Sequence, residues 1–384
     1  YTSRAERDLG PQRTAEWYAK DYLHGLANRF VTISPALIED VGNAYYQTLW
    51  GGSGLCERKG LWYPKPAYVA TATLTRVLDS AKLAQQMDTG SSSAHVLEFT
   101  RGSEHIYALW TARGRCELQF EFDQDTPVQL TSFYGASGNA MTKDKRLSLT
   151  ADTAVSYFTS PRAARRAKAG ARHFVPPPDG TKIVAAMNDA AQWQLVPDDS
   201  AIALPTRKPG RFDLRTVKDD ERGACIELEL KRESSVPAVV GEYATLRLKE
   251  PVTIAGEPHS VGVWVKGDSS WGRVFWEITE AKGDRWRSNG GYDGGDWGNA
   301  SFIDFDGWCF VTFPLTNDSP FKHLEPGSGL GQWKHEGGDG KLDFPLKLTG
   351  LHIETHRESV NLTKMEPVKA HLRLKDVSVI TSGK

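Results

Sequence analysis

The sequence predicts a mainly β protein: a helix–strand–helix segment, then a small antiparallel β-sandwich, then a larger β jelly roll. Two observations carry this. Before about residue 88 apolar residues recur every fourth position; beyond it apolar and polar residues alternate, the period of half-buried strands. Turn residues punctuate the alternating runs, and 384 residues are enough chain for two or three cores.

Residues 14–30 read as a helix, with Tyr18, Tyr22, Leu26 and Phe30 four apart and Ala15, Ala19, Leu23 and Ala27 on an adjoining stripe. Residues 43–50 are rich in aromatics and read as a buried strand ending at Gly51-Gly52. Pro64-Lys65-Pro66 opens a second helix with Ala67, Ala70, Leu74, Val77, Leu78 and Ala81 on one face. Proline at a helix start loses no hydrogen bond, because that N–H has no partner anyway. One strand and two helices cannot bury themselves, so residues 1–88 are expected to need cover from elsewhere.

Over 89–161 Leu118, Phe120 and Phe122 point one way and Glu117, Gln119, Glu121 and Asp123 the other, which predicts the small sandwich. Ile106, Ala108 and Trp110, and then Leu147 and Leu149, form similar runs. The basic run of Arg162, Arg165, Arg166, Lys168 and Arg172 precedes Pro176-Pro177-Pro178 and reads as a solvated linker over 162–180. From 181 to 384 the alternation resumes, as in Ile226, Leu228 and Leu230 against Glu227, Glu229 and Lys231, and predicts the jelly roll.

Residues 260–313 hold six of the twelve tryptophans: Trp264, Trp271, Trp276, Trp286, Trp297 and Trp308. Val261, Val263 and Val265 alternate with Gly262 and Trp264, so some rings must lie opposite the aliphatic core or in the glycine-rich loop. Flat apolar rings beside polar groups suit a sugar, whose C–H faces stack while its hydroxyls hydrogen-bond. Trp271, Trp286, Tyr292 and Trp297 are the candidates for that contact. In the same loop Asp293, Asp296 or Asp304 could supply oxygens to a structural calcium, and no other cofactor is expected.

A formal net charge of −1 gives no field to draw in nucleic acid. No apolar run is long enough to span a membrane. The four cysteines show no CxxC spacing and the histidines no metal spacing, which argues against zinc. Cys225 and Cys309 either pair, if their strands are neighbours, or are buried thiols. Serine-hydrolase, NTPase and dinucleotide fingerprints are missing from the sequence. The chain begins at Tyr1 without a signal peptide, and a processed product or fragment is expected.

The order of parts up to about residue 160 resembles the C-terminal end of a (β/α)8-barrel glycoside hydrolase. The likeness lies in Leu49-Trp50-Gly51-Gly52, in the run from Tyr63 through Lys65-Pro66 to Asp79, in the strand ending at Trp110, and in Leu147 to Thr150 followed by Tyr157-Phe158. The last two hundred residues resemble a jelly-roll carbohydrate-binding module, through the strand at 262–266, Gly307-Trp308 and the closing run at 374–379.

The resemblance implies a retaining enzyme with two glutamates about 5 Å apart, both on a barrel segment upstream of this chain. No catalytic residue is therefore assigned here, and this chain alone is expected to be inactive. Its partners would be that upstream segment of the same gene product and a polysaccharide or oligosaccharide. Trp50 matches the ring that floors the −1 sugar subsite. Glu39, Asp40 and above all Glu57 lie near the implied barrel mouth and could bond sugar hydroxyls. The expected location is secreted, periplasmic or on the cell surface. The rival reading is a non-catalytic carbohydrate-binding or cell-surface structural protein.

Overall fold

The computed structural model describes residues 2–34, 38–40, 54–57, 62–198, 200, 202, 208–231, 241–288, 302–315, 333–354 and 371–381. The strand expected at 43–50 lies outside them. The chain is mainly β, with several antiparallel sheets, and divides into two units, Tyr1–His173 and Phe174–Lys384.

The first unit opens with α1 (Thr2–Ala27), interrupted at Gly10, whose φ of 82° favours glycine, and α2 (Pro66–Val77), with proline in its first turn. Ala15, Ala19 and Leu23 form the buried stripe of α1. Phe30, predicted to continue the helix, lies past its end and is 64% exposed. Small residues on that stripe let α1 pack closely on α2.

Nine strands follow: β1 (Lys82–Gln86), β2 (Ala94–Arg101), β3 (Glu104–Thr111), β4 (Arg115–Glu121), β5 (Pro127–Thr131), β6 (Ser137–Met141), β7 (Arg146–Ala151), β8 (Ser156–Ser160) and β9 (Arg166–His173). They form one sheet of order β1-β2-β3-β8-β5-β6 and a smaller one of order β7-β4-β9. Ala94, Val96, Tyr107, Leu109 and Phe158 pack against Leu118, Phe120, Leu147 and Ala167 between the two sheets. Leu97, Phe99, Ile106, Ala108, Trp110 and Tyr157 share a second core with Ala15, Tyr18, Ala19, Leu23, Ala67, Ala70 and Leu74.

The helices thus find cover on a sheet of their own chain, where the sequence led us to expect cover from elsewhere. The reason is that alternate residues of β2, β3 and β8 are apolar on both faces, so one face remains for the helices after the sandwich is closed. The basic run is also not a free linker. From Arg166 it is β9, pairing with β4, with Ala167 buried opposite Phe120. Alanine gives too weak an alternation to announce a strand.

The second unit contains β10 (Thr181–Ala185), β11 (Trp193–Val196), β12 (Lys208–Pro209), β13 (Phe212–Asp219), β14 (Gly223–Leu230), β15 (Glu242–Ile254) and β16 (Ser260–Asp268). It continues with β17 (Arg273–Thr279), β18 (Arg285–Arg287), β19 (Asp306–Pro314), β20 (Lys334–Glu336), β21 (Leu346–Glu354) and β22 (His371–Ile380). One sheet runs β13-β14-β22-β16-β19 with β10 beside β22; the other runs β11-β15-β21-β17-β18-β20 with β12 beside β15. Ile226, Val263, Val311 and Leu374 of the first sheet meet Leu246, Trp276, Trp286 and Leu351 of the second in one core.

All four cysteines are buried thiols outside any disulfide. Cys309 belongs to the inter-sheet core, and β14, which carries Cys225, is separated from β19 by β22 and β16. Gly262 lies under the ring of Phe310, where a Cβ would sit 2.4 Å from a ring atom. Gly262→Ala should therefore lower stability by about 1–3 kcal/mol, read as a lower urea midpoint at unchanged slope. An unchanged midpoint would mean the ring moves aside freely.

Candidate functional site

The outer face of the second sheet follows from its inner one. Ala244, Leu246, Val274, Trp276, Ile278, Leu351 and Ile353 point into the core, so their neighbours on β15, β17 and β21 point away. Strand register arranges those neighbours in rows. Tyr243, Glu354 and Arg273 form one, Thr245, His352 and Phe275 the next, and Arg247, Gly350, Glu277 and Arg287 the third.

Gly350 makes the third row work. A Cβ there would come within 2.5 Å of the Leu246 carbonyl oxygen and 3.3 Å of the Arg247 side chain. With none present, Arg247 reaches across β21 to Glu277, its Nε donating at 3.0 Å and its Nη2 at 3.3 Å to the two carboxylate oxygens. Glu277 also accepts from Arg287 Nη2 at 3.0 Å, from Thr349 Oγ1 at 3.2 Å and from His352 Nε2 at 3.0 Å. Burial pushes its carboxyl up, but His352 and Arg247 more than offset this and hold it well below the usual range.

His352 is fully buried. Burial first and then Arg287 lower its pKa to about 4, against the pull of Glu277 and Asp198. A neutral ring beside an ionised carboxylate must carry its proton on Nε2, facing Glu277. Its Nδ1, 2.9 Å from Thr245 Oγ1, then accepts from that hydroxyl. Thr245→Val keeps the shape and removes the donor, so a loss of about 1–2 kcal/mol is expected in urea denaturation; no loss would mean the hydroxyl points elsewhere.

Arg287, also fully buried, meets Asp198 Oδ2 at 2.6 Å and donates to the carbonyl of Ile202. Burial raises the Asp198 carboxyl, yet Arg287, the Ser200 hydroxyl and His352 hold it below the ordinary value. Tyr243 completes this edge, its hydroxyl donating to the Asp198 carbonyl at 3.2 Å. In the first row Arg273, 2% exposed, donates through Nε to Glu354 Oε2 at 2.8 Å, and its Nη2 lies 2.6 Å from the same oxygen. Ahead of Arg273, Ser269 and Trp271 have φ of 53° and 57°, a left-handed region that is strained for these residues. The turn is held by Trp271 N–H donating to the Ile303 carbonyl and Ile303 N–H to that of Gly272.

No known family and no curated protein matches this sequence. Among solved structures it is similar to a family 39 glycoside hydrolase from the gut symbiont Bacteroides cellulosilyticus, at 19% identity and a TM-score of 0.32, over 38% of this chain and 30% of that one. A family 11 carbohydrate-binding module of a cellulosomal cellulase of Clostridium thermocellum matches 53% of this chain and 95% of its own, at 10% identity and a TM-score of 0.30. A β-porphyranase of glycoside hydrolase family 86 from Bacteroides plebeius matches 97% of this chain and 54% of its own, at 11% identity and a TM-score of 0.28. Glycoside hydrolases and carbohydrate-binding modules are its structural neighbours.

The residues singled out from sequence fall in different places. Trp50, Tyr292 and Trp297 lie outside the described residues, as do Asp293 and Asp296. Glu57 is exposed on a loop of the first unit, its N–H donating to the Tyr63 carbonyl, whereas Trp271 is half-buried in the second unit. Trp286 is a correction. Its ring is fully buried among Trp276, Leu348 and their neighbours and packs on His335, because β18 turns it toward the inter-sheet core. Asp40, grouped with Glu57, is buried too: its Oδ1 accepts from Lys65 Nζ at 2.6 Å and from Gly54 N–H at 2.9 Å, fixing the loop. Among the described residues no cluster of His, Cys, Asp or Glu is placed to hold a metal, and no helix could cross a membrane.

Arg273, Glu277, His352 and Glu354 were not singled out for the site. The signal was present, since each alternates with core aliphatics; what the sequence does not give is which strands become neighbours.

Proposed function

We propose that this chain is the C-terminal portion of a secreted glycoside hydrolase whose catalytic glutamates lie on an upstream barrel segment, and that its second unit binds the polysaccharide. The observation that carries the binding role is Trp271, half-buried at the margin of the second sheet and held there by the turn bonded to Ile303. Tyr243, Phe275, Thr245, His352, Arg273 and Glu354 are buried and fix the rows of the sheet beside it. Trp271, half-buried at the margin, is the ring best placed for stacking.

The state of the carboxyls does not suit catalysis on this face. A glycosidase needs one carboxyl with a raised pKa to donate a proton, yet Glu277 and Asp198 are both held as anions by guanidinium groups. In the first unit Phe30, Val31, Ile38, Trp62, Tyr63 and Tyr68 expose large apolar surface within a short span of sequence. That surface supports docking of the barrel segment there.

Affinity electrophoresis of the full chain through gels containing a panel of polysaccharides tests the reading. At least one polymer should retard it, and Trp271→Ala should move faster than the parent. Mobility unchanged in every gel would remove the binding role. Release of reducing sugar by this chain alone would overturn the placement of catalysis upstream.

A further inference from the structure

The outer face of the other sheet of the second unit, β13-β14-β22-β16-β19, is open and carries a guanidinium that no acid touches. Arg222 lies in the turn between β13 and β14, its N–H donating to Asp219 Oδ1 at 3.3 Å, and Gly223 completes the turn at φ 68°. The guanidinium carbon is 3.2 Å from the centre of the Trp264 ring and 5.5 Å from that of Trp308. Nε is buried without a hydrogen-bond partner, and among the described residues neither Nη group has an acceptor or an ion pair. The side chain is half-buried, so its Nη edge reaches solvent while Nε does not.

The neighbouring acids explain why this fork is empty. Asp219 is 1% exposed and both its oxygens are taken. Oδ1 accepts from Trp308 Nε1 at 2.9 Å and from the N–H groups of Glu221 and Arg222, and Oδ2 from Lys266 Nζ at 2.8 Å and Arg373 Nη1 at 2.7 Å. Glu227 is held in the same way by Arg215, Arg373 and His371. Glu221 and Asp376 act on Arg222 through space, without contact. The indole thus holds one side of a cation whose two-nitrogen edge is vacant. Such an edge matches a group with two charged oxygens, which it can bind through parallel hydrogen bonds. A neutral hydroxyl would leave the charge uncompensated.

We infer that Arg222, stacked on Trp264, binds an oxyanion carried by a sugar, which makes the ligand of the second unit an acidic polysaccharide. This rests on that unit binding polysaccharide. Two sources share the chemistry: the carboxylate of a uronate and the sulfate ester of a sulfated galactan.

Affinity gels run with the full chain test it, using alginate, a sulfated galactan, and uncharged β-glucan and galactan. One of the two acidic polymers should retard the parent more than the neutral ones do, and which of them does so identifies the oxyanion. Arg222→Gln should weaken that retention about tenfold. No ion pair is lost with it, so its urea midpoint should stay near the parent's. Arg222→Lys keeps the charge but lacks the fork, and the acidic polymer should raise its melting temperature less than the parent's. Lys168→Gln removes an exposed cation of the first unit and should leave retention unchanged.

Equal losses in Lys168→Gln and Arg222→Gln, or Arg222→Lys binding as the parent does, would overturn the assignment and reduce the attraction to general charge. Retention by neutral polymers alone would leave the binding role standing and remove Arg222 from it. Were no polymer to retain the parent, the binding role itself would fall, and this assignment with it.

Discussion

Glu277→Gln is expected to lower the stability of this protein by about 3–5 kcal/mol, the usual consequence of removing one partner from a buried ionic group. The carboxylate is the hub of the outer face. It faces Arg247 and Arg287 together, and it takes hydrogen bonds from Thr349 and His352 as well. Glutamine has the same shape but one acceptor oxygen, and its amide N–H groups would point at guanidinium donors. Arg287 is fully buried and, among the described residues, would keep only Asp198 as a counter-charge. The size of the effect comes from stranding these cations. It does not measure a net gain from the network, since a face rebuilt in well-packed apolar residues could be as stable. Urea denaturation followed by tryptophan fluorescence measures the change. Glu229→Gln is the control, because Glu229 pairs with Lys231 and Arg215 on an open face where such pairs contribute little. Equal midpoints for the two variants would show that the buried network relaxes or hydrates when Glu277 loses its charge.

How far the sequence revealed this arrangement depends on which residues carried a period. In β16 and β17 the valines and isoleucines alternate without interruption, and the inward faces read from them are the observed ones. Trp264 lies on the opposite face from Val263 and Val265, as that alternation requires, and it stacks there under Arg222. Trp286 defeated the reading because β18 is three residues long and a strand so short displays no period. Arg166 to Arg172 defeated it differently, since alanine on the inner side looks like linker composition. The site itself was hidden by distance along the chain. Glu277 meets His352 seventy-five residues away and Arg273 meets Glu354 eighty-one away, pairings that only strand order creates. A charged residue between two core aliphatics normally faces water, and nothing local marks the ones that become buried. Gly350 is the exception. A glycine inside an otherwise regular strand signals close approach of another group, here the Arg247 side chain.

Acid should destabilise the fold in two stages, and His352 sets the first. Its imidazole is held neutral down to about pH 4, by burial first and by Arg287, while Glu277 and Asp198 pull the other way. The other groups packed on it are Thr245 from β15 and Phe275 from β17. Above pH 6.5 the ring is neutral in both folded and unfolded chains and pH has no effect through it. Below 6.5 the unfolded chain takes up a proton that the folded chain refuses, so stability falls with pH until about 4, by roughly 3 kcal/mol at most. His95 acts with the same sign in the first unit. It stacks on Trp110, and burial, His24 and Lys20 depress it to about 3. The carboxylates come later: Glu227, held at about 2 despite burial by His371, Arg215 and Arg373, loses its contribution only as pH falls below the ordinary glutamate range. Two measurements decide this. Histidine ring NMR should show His352 titrating near pH 4 rather than 6.5. In His352→Gln, which retains a donor and an acceptor, the pH slope of the unfolding free energy between 6.5 and 4 should flatten while the slope below 4 remains. A His352 that titrates normally, or a slope indifferent to its replacement, would place the acid sensitivity in His95 and the carboxylates.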